Sequence, residues 1–439
     1  MPKSTIWDSQ TVSEILQKAK TGKYSTRGFG TNRPLPSLDD LVIVPSQLAG
    51  SPAVDKYREH VDTEVVIGEW LEKPLRLKTP IFIAAMSFGA ISKAGKMAFA
   101  YAASKVGTFT NTGEGGLLPE ELEVCRSYGG SLVVQWSTGR FGVSAAYLKS
   151  GDAVEIKIGQ GAKPGMGGHL LAEKVTPEIA KIRGIPMGTD ALSPCRHLDV
   201  DSVEDLKKHV QLIRAVTENK VPVLIKLGPA RVYDDARLAV ELGADAIVID
   251  GGEGGTGCAP HIVIEHAGIP TLGIMAPARR ALKDTGAEKK GVKLLVMGGV
   301  RHGADVYKAL ALGADAVGIA SAAMIAVGCT VCQMCDTGRC PKGIAGEGAG
   351  QTLDFKAAGE ALANFINALT EEVKVLAALS GHSSISTIGL EDVRALTVDT
   401  SMITGAKLIG LEQPVTGLMV AGAPAYGAAA DVAKSAAAV

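Results

Sequence analysis

The stretch DDARLAVELGADAIVIDG, residues 234–251, decides the fold class. Its first half has the apolar spacing of an amphipathic helix, Gly243 follows, and AIVID is then an apolar run without polar alternation. Such runs are typical of parallel strands that are buried on both faces. GADVYKALALGADAVGIAS, residues 303–321, repeats the order of helix, glycine and strand. We interpret this likeness as the shared turn chemistry of successive βα units rather than as a true repeat.

Working outward, eight short apolar runs alternate with helical segments. They are PIFIAAM (80–86), GTFTNT (107–112), AVEIKIG (153–159), PVLIKLG (222–228), DAIVIDG (245–251), TLGIM (271–275), KLLVMGG (293–299) and DAVGIAS (315–321). Eight strands alternating with helices over about 250 residues predict an α/β fold, a (β/α)8 TIM barrel. A doubly wound open sheet is the alternative. We place the barrel at 76–345, between an N-terminal extension, 1–75, and a C-terminal helical extension with a tail, 346–439.

Composition excludes several classes of function. The 439 residues carry 45 Lys and Arg against 46 Asp and Glu, a net charge of -1, so we expect no nucleic-acid partner and no anionic membrane surface. The start of the chain lacks the pattern of a signal peptide, and the uncharged runs 316–335 and 413–430 are too interrupted to span a membrane. We therefore expect a soluble, cytoplasmic protein.

Two glycine-rich segments predict ligand contact at one end of the barrel. MGGVRHG (297–303) follows the seventh predicted strand, and GIAS (318–321) closes the eighth. In many barrels these two loops hold a phosphate on backbone N–H groups, although Gly298 and Gly299 could also form a plain turn. GGEGGTGCAP (251–260), after the fifth predicted strand, indicates close approach to a ligand or a flexible lid. Neither loop is a GxGxxG motif that opens a helix after the first strand, so NAD binding in the Rossmann manner is disfavoured.

Two lysines lie inside apolar strands. Lys157 is in the third predicted strand and Lys226 ends the fourth. A buried lysine is unfavourable unless it meets a carboxylate or a ligand, so we predict ligand contact rather than snorkelling to the surface. A cation near the pyrimidine edge of a flavin would stabilise its reduced, anionic ring.

Four of the seven cysteines lie in twelve positions, in GCTVCQMCDTGRCPKG. The spacing, Cys329-x2-Cys332-x2-Cys335-x4-Cys340 before a proline, favours an iron–sulfur cluster in a reducing compartment, with structural zinc as the alternative. The single cysteines are predicted to be buried thiols; they are Cys125, Cys195 and Cys258.

Longer motifs carry a resemblance to a known family. They are AAMSFGAIS (84–92), TNTGEGG (110–116), STGRFGVSAAYL (137–148), IKIGQGAKPGMGGHL (156–170), KVTPEIAKIR (174–183), GGTG (254–257) and the cysteine segment. Over about residues 75–345 the chain resembles the FMN-binding synthase domain of the glutamate synthase family. This resemblance implies a barrel that holds FMN with an iron–sulfur cluster beside it.

The resemblance also implies roles for single residues. The catalytic residues would be Lys163, Arg183, His169 and Glu114, of which Lys163 and Arg183 would grip a dicarboxylate. The FMN contacts would be Ala85, Met86, Ser87, Asn111, Lys157, Gln160, Lys226, Gly255, Thr256, Gly257, Gly298, Gly299, Gly318 and Ile319. Cys329, Cys335 and Cys340 match the family's [3Fe-4S] ligands.

Cys332 is additional to that ligand set, and a fourth thiolate would support a [4Fe-4S] cluster. If its loop forms one helical turn, its sulfur lies beside those of Cys329 and Cys335; otherwise it is a small residue buried in the barrel wall.

Within the family, the chain most resembles the flavin subunit of three-subunit N-methylglutamate synthases. This implies partner subunits of glutaminase-like and β-helix type in a hetero-oligomer, with glutamate and methylamine as substrates. Glutamate would be oxidised to 2-iminoglutarate, methylamine would replace ammonia, and the new imine would be reduced. Met166 and His169 stand where the family has Glu and Gln, and we interpret the apolar Met166 as suited to a methylated amine, with neutral drift as the alternative.

Two other functions compete with this interpretation. The first is a split glutamate synthase that reduces 2-iminoglutarate to L-glutamate with electrons delivered through the cluster, which the retained cysteines favour. The second is a non-enzymatic redox or scaffold subunit, against which the intact lysine-bearing loops argue.

Overall fold

The computed structural model describes residues 6–346 and 353–411, and its centre is a barrel of eight parallel strands. The barrel strands are β5 (Ile81–Ile83), β6 (Phe109–Asn111), β7 (Ser131–Trp136), β8 (Ala153–Lys157), β11 (Val223–Leu227), β12 (Ala246–Asp250), β14 (Lys293–Met297) and β15 (Ala316–Ile319). Almost all their residues are buried, as strands packed inside a ring of helices must be. The predicted (β/α)8 class is confirmed.

The barrel is nearly closed where its first and second strands meet. The ladder runs β5-β15-β14-β12-β11-β8-β7-β6, so β5 and β6 are its ends. Thr108 Oγ1 donates to the carbonyl of Ile81 at 2.7 Å, and the rings of Phe82 and Phe109 stack with centroids 4.7 Å apart. In an open doubly wound sheet the two end strands would lie far apart, so that alternative is wrong.

Two of the predicted strand assignments need correction. TLGIM (271–275) begins the helix α9 (Thr271–Asp284), and its apolar run is the face that the helix buries. The missing barrel strand is β7, SLVVQW, which the sequence analysis overlooked. Lys157 therefore ends the fourth strand, Lys226 lies in the fifth, and the loop GGEGG follows the sixth.

Helices surround the barrel. They are α2 (Lys93–Val106), α3 (Pro119–Ser127), α4 (Ala145–Ser150), α5 (Pro177–Arg183), α6 (Val203–Val216), α7 (Val232–Glu241), α8 (His261–His266), α9, α10 (Gly303–Ala311), α11 (Ser321–Ala326) and α12 (Phe355–Leu379). Serine and threonine N-caps begin many of them, as Ser92 does for α2 and Ser202 for α6, and α2 ends at the left-handed Gly107.

The long C-terminal helix belongs to this ring. α12 packs against both α2 and α10, which is the place of the eighth helix of a (β/α)8 barrel. Gly359 permits the close approach, since a Cβ there would lie 2.7 Å from Tyr101 Cδ1 and 3.0 Å from the carbonyl oxygen of Ala98. The predicted boundary at residue 345 therefore divides a single helical layer.

The remaining elements attach to the barrel. In the N-terminal part these are α1 (Ser9–Thr21), β1 (Thr26–Phe29), β2 (Leu41–Ile43), β3 (Val65–Ile67) and β4 (Leu75–Leu77). Further along are β9 (His169–Leu170), β10 (Ala191–Leu192), β13 (Thr256–Pro260), β16 (Val393–Ala395) and α13 (Val398–Thr404). Within the described residues, β1 pairs antiparallel with β13, β2 with β16, β3 with β4 and β9 with β10. The N-terminal segment is thereby joined both to a barrel loop and to the C-terminal strand β16.

Among the described residues, no helix has the length and apolar character needed to cross a membrane. The predicted low-complexity tail lies outside the described residues.

Candidate functional site

A cavity of about 670 Å³ opens at the carboxyl ends of the barrel strands. This volume is in the range of small-molecule and cofactor sites, and it lies at the face where TIM-barrel enzymes place their chemistry. All four residues predicted to be catalytic line it, and so do all the predicted flavin contacts except Asn111 and Ile319.

Those two exceptions face the body of the protein. Asn111 is buried, donates from Nδ2 to Glu155 Oε1 at 3.0 Å, and accepts from the N–H of Gly113 at 2.9 Å. Ile319 is buried in the barrel core. Asn111 thus holds the TNTGEGG loop through its hydrogen bonds to Glu155 and Gly113, and it does not line the cavity.

An ion pair lies in the cavity wall. Lys157 Nζ is 3.0 Å from Glu114 Oε1 and donates to Gln160 Oε1 at 2.8 Å, while Ser193 Oγ donates to Glu114 Oε2 at 2.8 Å. Burial raises the pKa of Glu114, but the ammonium groups of Lys157 and Lys163 outweigh it and lower that pKa to about 2. The carboxylate is therefore ionised throughout the physiological range.

Two further buried cations complete this wall. Lys163 Nζ donates to the carbonyl of Cys258 at 2.7 Å, and burial lowers its pKa to about 8 although Glu114 opposes the shift. Arg183 donates from Nη2 to the carbonyl of Phe88 at 2.7 Å, and burial lowers its pKa to about 10. Nε of Arg183 is buried without a hydrogen-bond partner among the described residues. These cations leave donor capacity for an anionic ligand.

His169 and Met166, the two departures from the family pattern, lie in different surroundings. His169 lines the cavity, and its Nε2 is 2.8 Å from Asp190 Oδ2. Met166 is 37% exposed and is absent from the cavity lining, so its side chain does not provide the apolar contact that we expected for a methylated amine.

The glycine-rich end of the cavity is formed by the loops after the seventh and eighth strands. Gly298 and Gly299 adopt φ of 119° and 70°, which side-chain-bearing residues rarely accept. A Cβ at Gly298 would lie 2.6 Å from Thr271 Oγ1. Gly318 lines the same end, beside the start of α11. This is the place where TIM barrels bind phosphate.

Lys226 lies at the centre of the barrel mouth. Its Nζ is 3.8 Å from Asp250 Oδ2, and that oxygen accepts the N–H of Gly161 at 2.8 Å. The prediction that Lys157 and Lys226 are not surface residues is correct, because both are buried and both line the cavity.

One entire wall of the site was not predicted from the sequence motifs. Residues of the N-terminal segment close the cavity from above; they are Phe29, Gly30, Thr31, Arg33, Leu35, Ser37 and Leu38. Pairing of β1 with β13 brings this segment to the Gly255–Gly257 loop, and Glu265 fixes it by pairing with Arg27 and by accepting from Thr31 Oγ1 at 2.8 Å. No local sequence pattern predicts the pairing of β1 with β13, because about 230 residues of chain separate the two strands.

The cysteine segment lies behind β1. Cys335 and Cys340 are buried, Cys329 is half-buried and Cys332 is exposed. Burial and the neighbouring thiols raise the pKa of Cys335 to about 11. Burial also favours a higher pKa for Cys340. Hydrogen bonds from the backbone N–H groups of residues 342–345 outweigh this effect, so the pKa of Cys340 is lowered. The charges of Cys329, Cys332 and Cys340 all act on the pKa of Cys335, as expected of thiols in one segment.

The structure contradicts the helical turn and the burial expected for Cys332, although the charge of Cys332 acts on both Cys329 and Cys335. Val331 and Gln333, which flank it, adopt left-handed φ of 55° and 57°, so no helical turn joins Cys329 to Cys335, and the exposed Cys332 is not packed in the barrel wall. The single cysteines Cys125 and Cys258 are buried as predicted, whereas Cys195 is exposed, contrary to prediction.

Comparison with known proteins agrees with this geometry. The conserved region of glutamate synthase matches residues 37–383. The chain belongs to the glutamate synthase family. It is 40% identical to the glutamate synthase large subunit-like protein of Rhizobium meliloti, over 93% of this chain and 95% of that protein. It is also 40% identical to an archaeal-type glutamate synthase [NADPH] of Thermotoga sp., over 95% of this chain and 84% of that protein.

Among solved structures, this member of the glutamate synthase family shares its fold with mandelate oxidase in complex with (S)-4-hydroxymandelic acid. The TM-score is 0.51 at 20% identity, over 80% of this chain and 86% of that one. At this identity the likeness concerns the barrel fold alone.

Proposed function

We propose that this chain is the catalytic component of a glutamate synthase and reduces 2-iminoglutarate, formed from 2-oxoglutarate and ammonia, to L-glutamate at bound FMN. The observation that carries the proposal is the juxtaposition, in one barrel-mouth cavity, of the ionised Glu114 with the buried cations Lys157, Lys163 and Arg183. The names of the relatives support this reaction.

The cavity fits FMN in size and in chemistry. Gly298, Gly299 and Gly318 offer close backbone approach for the phosphate, whereas Lys157 and Lys226 offer positive charge for the ring. The remaining ring contacts would come from residues 85–87 and 255–257 and from Gln160. Bound FMN would supply hydride transfer to the imine carbon.

The charged side chains account for binding of a dicarboxylate imine. Lys163 and Arg183 would bind the two carboxylates, and Nε of Arg183, which has no partner among the described residues, would be a further donor. Glu114, being ionised, would hold a protonated imine nitrogen by charge attraction. Closure of the site by the N-terminal segment would exclude water and strengthen both interactions.

Electrons would enter through an iron–sulfur cluster held by Cys329, Cys335 and Cys340. The donors fit such a group because all three thiols are at least half-buried, the charges of Cys329 and Cys340 act on Cys335, and Cys335 lines the cavity. A cluster held there would supply one-electron transfer toward the cavity. The exposure of Cys332 supports the three-thiol set and hence [3Fe-4S].

A second candidate reaction uses the same cavity. In an N-methylglutamate synthase, methylamine would replace the ammonia of 2-iminoglutarate and no net electrons would be needed. The observation in its favour is His169, which lines the cavity where the family has Gln. The position of Met166 outside the cavity removes the other argument for this reaction.

For the assembly, we propose a cytoplasmic hetero-oligomer in which a glutaminase-like subunit supplies ammonia and a β-helix subunit completes the complex. Helix α1 supports an assembly, because its polar Glu14 pairs with His261 at 2.6 Å while Val12, Ile15 and Leu16 face solvent.

Two reaction mixtures separate these functions. The purified holoenzyme complex is given 2-oxoglutarate, ammonium and dithionite-reduced viologen in one mixture, and L-glutamate with methylamine and no reductant in the other. We expect L-glutamate in the first mixture and no N-methylglutamate in the second, measured by mass spectrometry. The reverse result would establish the second candidate, and a purified chain without flavin absorbance would support a scaffold role.

A further inference from the structure

Lys174 is a buried lysine that the proposed reaction does not use. It ends the short turn before α5, is only 7% exposed, and donates from Nζ to the carbonyl of Cys335 at 2.8 Å. Its second contact, the carbonyl of Ala90, is at 3.5 Å. An ammonium group has three N–H donors, so one remains beyond these two carbonyls.

Among the described residues, no carboxylate lies within 4.0 Å of this ammonium group. Three other buried lysines differ in this respect: Lys96 pairs with Glu121 at 2.9 Å, Lys157 with Glu114 at 3.0 Å and Lys226 with Asp250 at 3.8 Å. Among the described residues, Lys163 and Lys308 resemble Lys174, since each is buried, donates to a carbonyl and has no carboxylate within 4.0 Å. A buried cation is costly without negative charge nearby, and the Asp336 carboxylate acts on Lys174 only from beyond 4.0 Å, so an anionic group closer to the ammonium would stabilise it further.

The cysteine segment surrounds this side chain. A Cβ at Gly338 would lie 3.3 Å from Lys174 Cγ, and one at Gly346 would lie 3.4 Å from Cε, so the segment wraps around the lysine stem. When ionised, the thiols of Cys335, Cys258 and Cys340 and the carboxylate of Asp336 favour the charged form of Lys174. Lys174 also lines the small gap between Cys335 and the substrate-side residues His169 and Leu170.

We propose that Lys174 is a positioning residue for the iron–sulfur cluster, whose positive charge offsets the negative charge of the cluster and raises its reduction potential. The proposal rests on the cluster put forward above. A cluster bound by three thiolates is anionic and gains one more negative charge when it is reduced, so a fixed cation beside it stabilises the reduced form more than the oxidised form. Lys174 would thereby favour electron entry next to the cavity.

The test compares Lys174→Met with Lys174→Arg in the holoenzyme. Iron per chain is measured first, and the midpoint potential of the cluster is then measured by electron paramagnetic resonance during a redox titration. We expect Lys174→Met to shift the one-electron equilibrium toward the oxidised cluster by at least tenfold, which is about 59 mV, and Lys174→Arg to restore most of the difference. Lys308→Met, which removes a buried lysine that donates to the carbonyl of Leu38, is the control and should leave the potential unchanged.

Each outcome has one meaning. Loss of iron in folded Lys174→Met with retention in Lys174→Arg also supports the role of the charge. A wild-type potential in Lys174→Met overturns the inference and leaves the proposed reaction intact, and so does loss of iron in both variants, which would assign Lys174 to packing. A wild-type holoenzyme without iron overturns the cluster itself, and this inference with it.

Discussion

At the residue scale, the proposed role of Lys163 predicts that substrate binding depends on pH. Burial lowers the pKa of its amine to about 8, so the amine is charged below that pH and neutral above it. The dissociation constant of 2-oxoglutarate should therefore rise as pH increases through about 8, since a neutral amine cannot pair with a carboxylate. Isothermal titration calorimetry of the flavin-loaded protein between pH 6.5 and 9.5, a range chosen to span that pKa of about 8, measures this directly.

The matched variant for this prediction is Lys163→Arg. Arginine stays protonated across this range, so its binding curve should lose the weakening near pH 8. If Lys163→Arg keeps the same pH dependence as the wild type, another group controls binding and the role given to Lys163 is wrong.

The exposed Cys332 allows a second prediction at this scale. Because it lies outside the buried set, Cys332→Ser should retain the iron content and the three-iron resonance signal of the oxidised wild type. Cys335→Ser, which removes a buried thiol, is the control and should lose the cluster. A wild type with four irons that becomes a three-iron protein in Cys332→Ser would show that Cys332 is a ligand.

At the same scale, the motifs predicted which residues lie at the barrel mouth, but not whether each side chain points into the cavity or into the core. Glu114 lies after β6, Lys157 ends β8, Lys163 is in the loop after β8 and Arg183 ends α5. They meet in one cavity because the carboxyl ends of parallel strands share a face. Ile319 ends a barrel strand too, yet it belongs to the core. A motif gives the position of a residue along the chain, whereas packing decides the direction of its side chain.

At the scale of elements, the loop after β14 is predicted to hold the flavin phosphate. Gly298→Ala should lower the flavin content of the purified protein at least several-fold, since the new Cβ would enter a positive-φ position 2.6 Å from Thr271 Oγ1. Gly286→Ala is matched to it, with φ of 69° and no atom within 4 Å of the added Cβ. Flavin absorbance per chain and the melting temperature are measured for both variants. Equal flavin content in the two would contradict the phosphate site.

The elements also show where pattern reasoning fails. TLGIM was assigned to a strand because a helix that buries Leu272, Ile274 and Met275 presents the same short apolar run as a buried strand. β7 carried a usable signal, the β-branched pair Val133 and Val134 after the turn at Gly129 and Gly130. Because TLGIM was counted in place of β7, the number of predicted strands was still eight, and the missing strand was not apparent.

At the scale of the whole molecule, the fold class was predictable and the closure of the site was not. The βα periodicity follows from local chemistry, because each unit of helix, glycine and strand occupies only about twenty consecutive residues. The upper wall depends on contacts that are distant in sequence, such as β1 on β13 and Arg27 on Glu265. The position of α12 in the barrel ring likewise required tertiary packing against α2 and α10.

The central claim, that reduced flavin in this cavity converts 2-iminoglutarate to L-glutamate, is tested most directly by a single turnover. The holoenzyme is reduced without oxygen, freed of reductant, and mixed with 2-oxoglutarate and isotope-labelled ammonium while flavin absorbance is followed. The account predicts labelled L-glutamate in proportion to bound flavin, with return of the oxidised flavin spectrum, and neither event in Glu114→Gln. Flavin that stays reduced in the wild type while no labelled glutamate forms would contradict it.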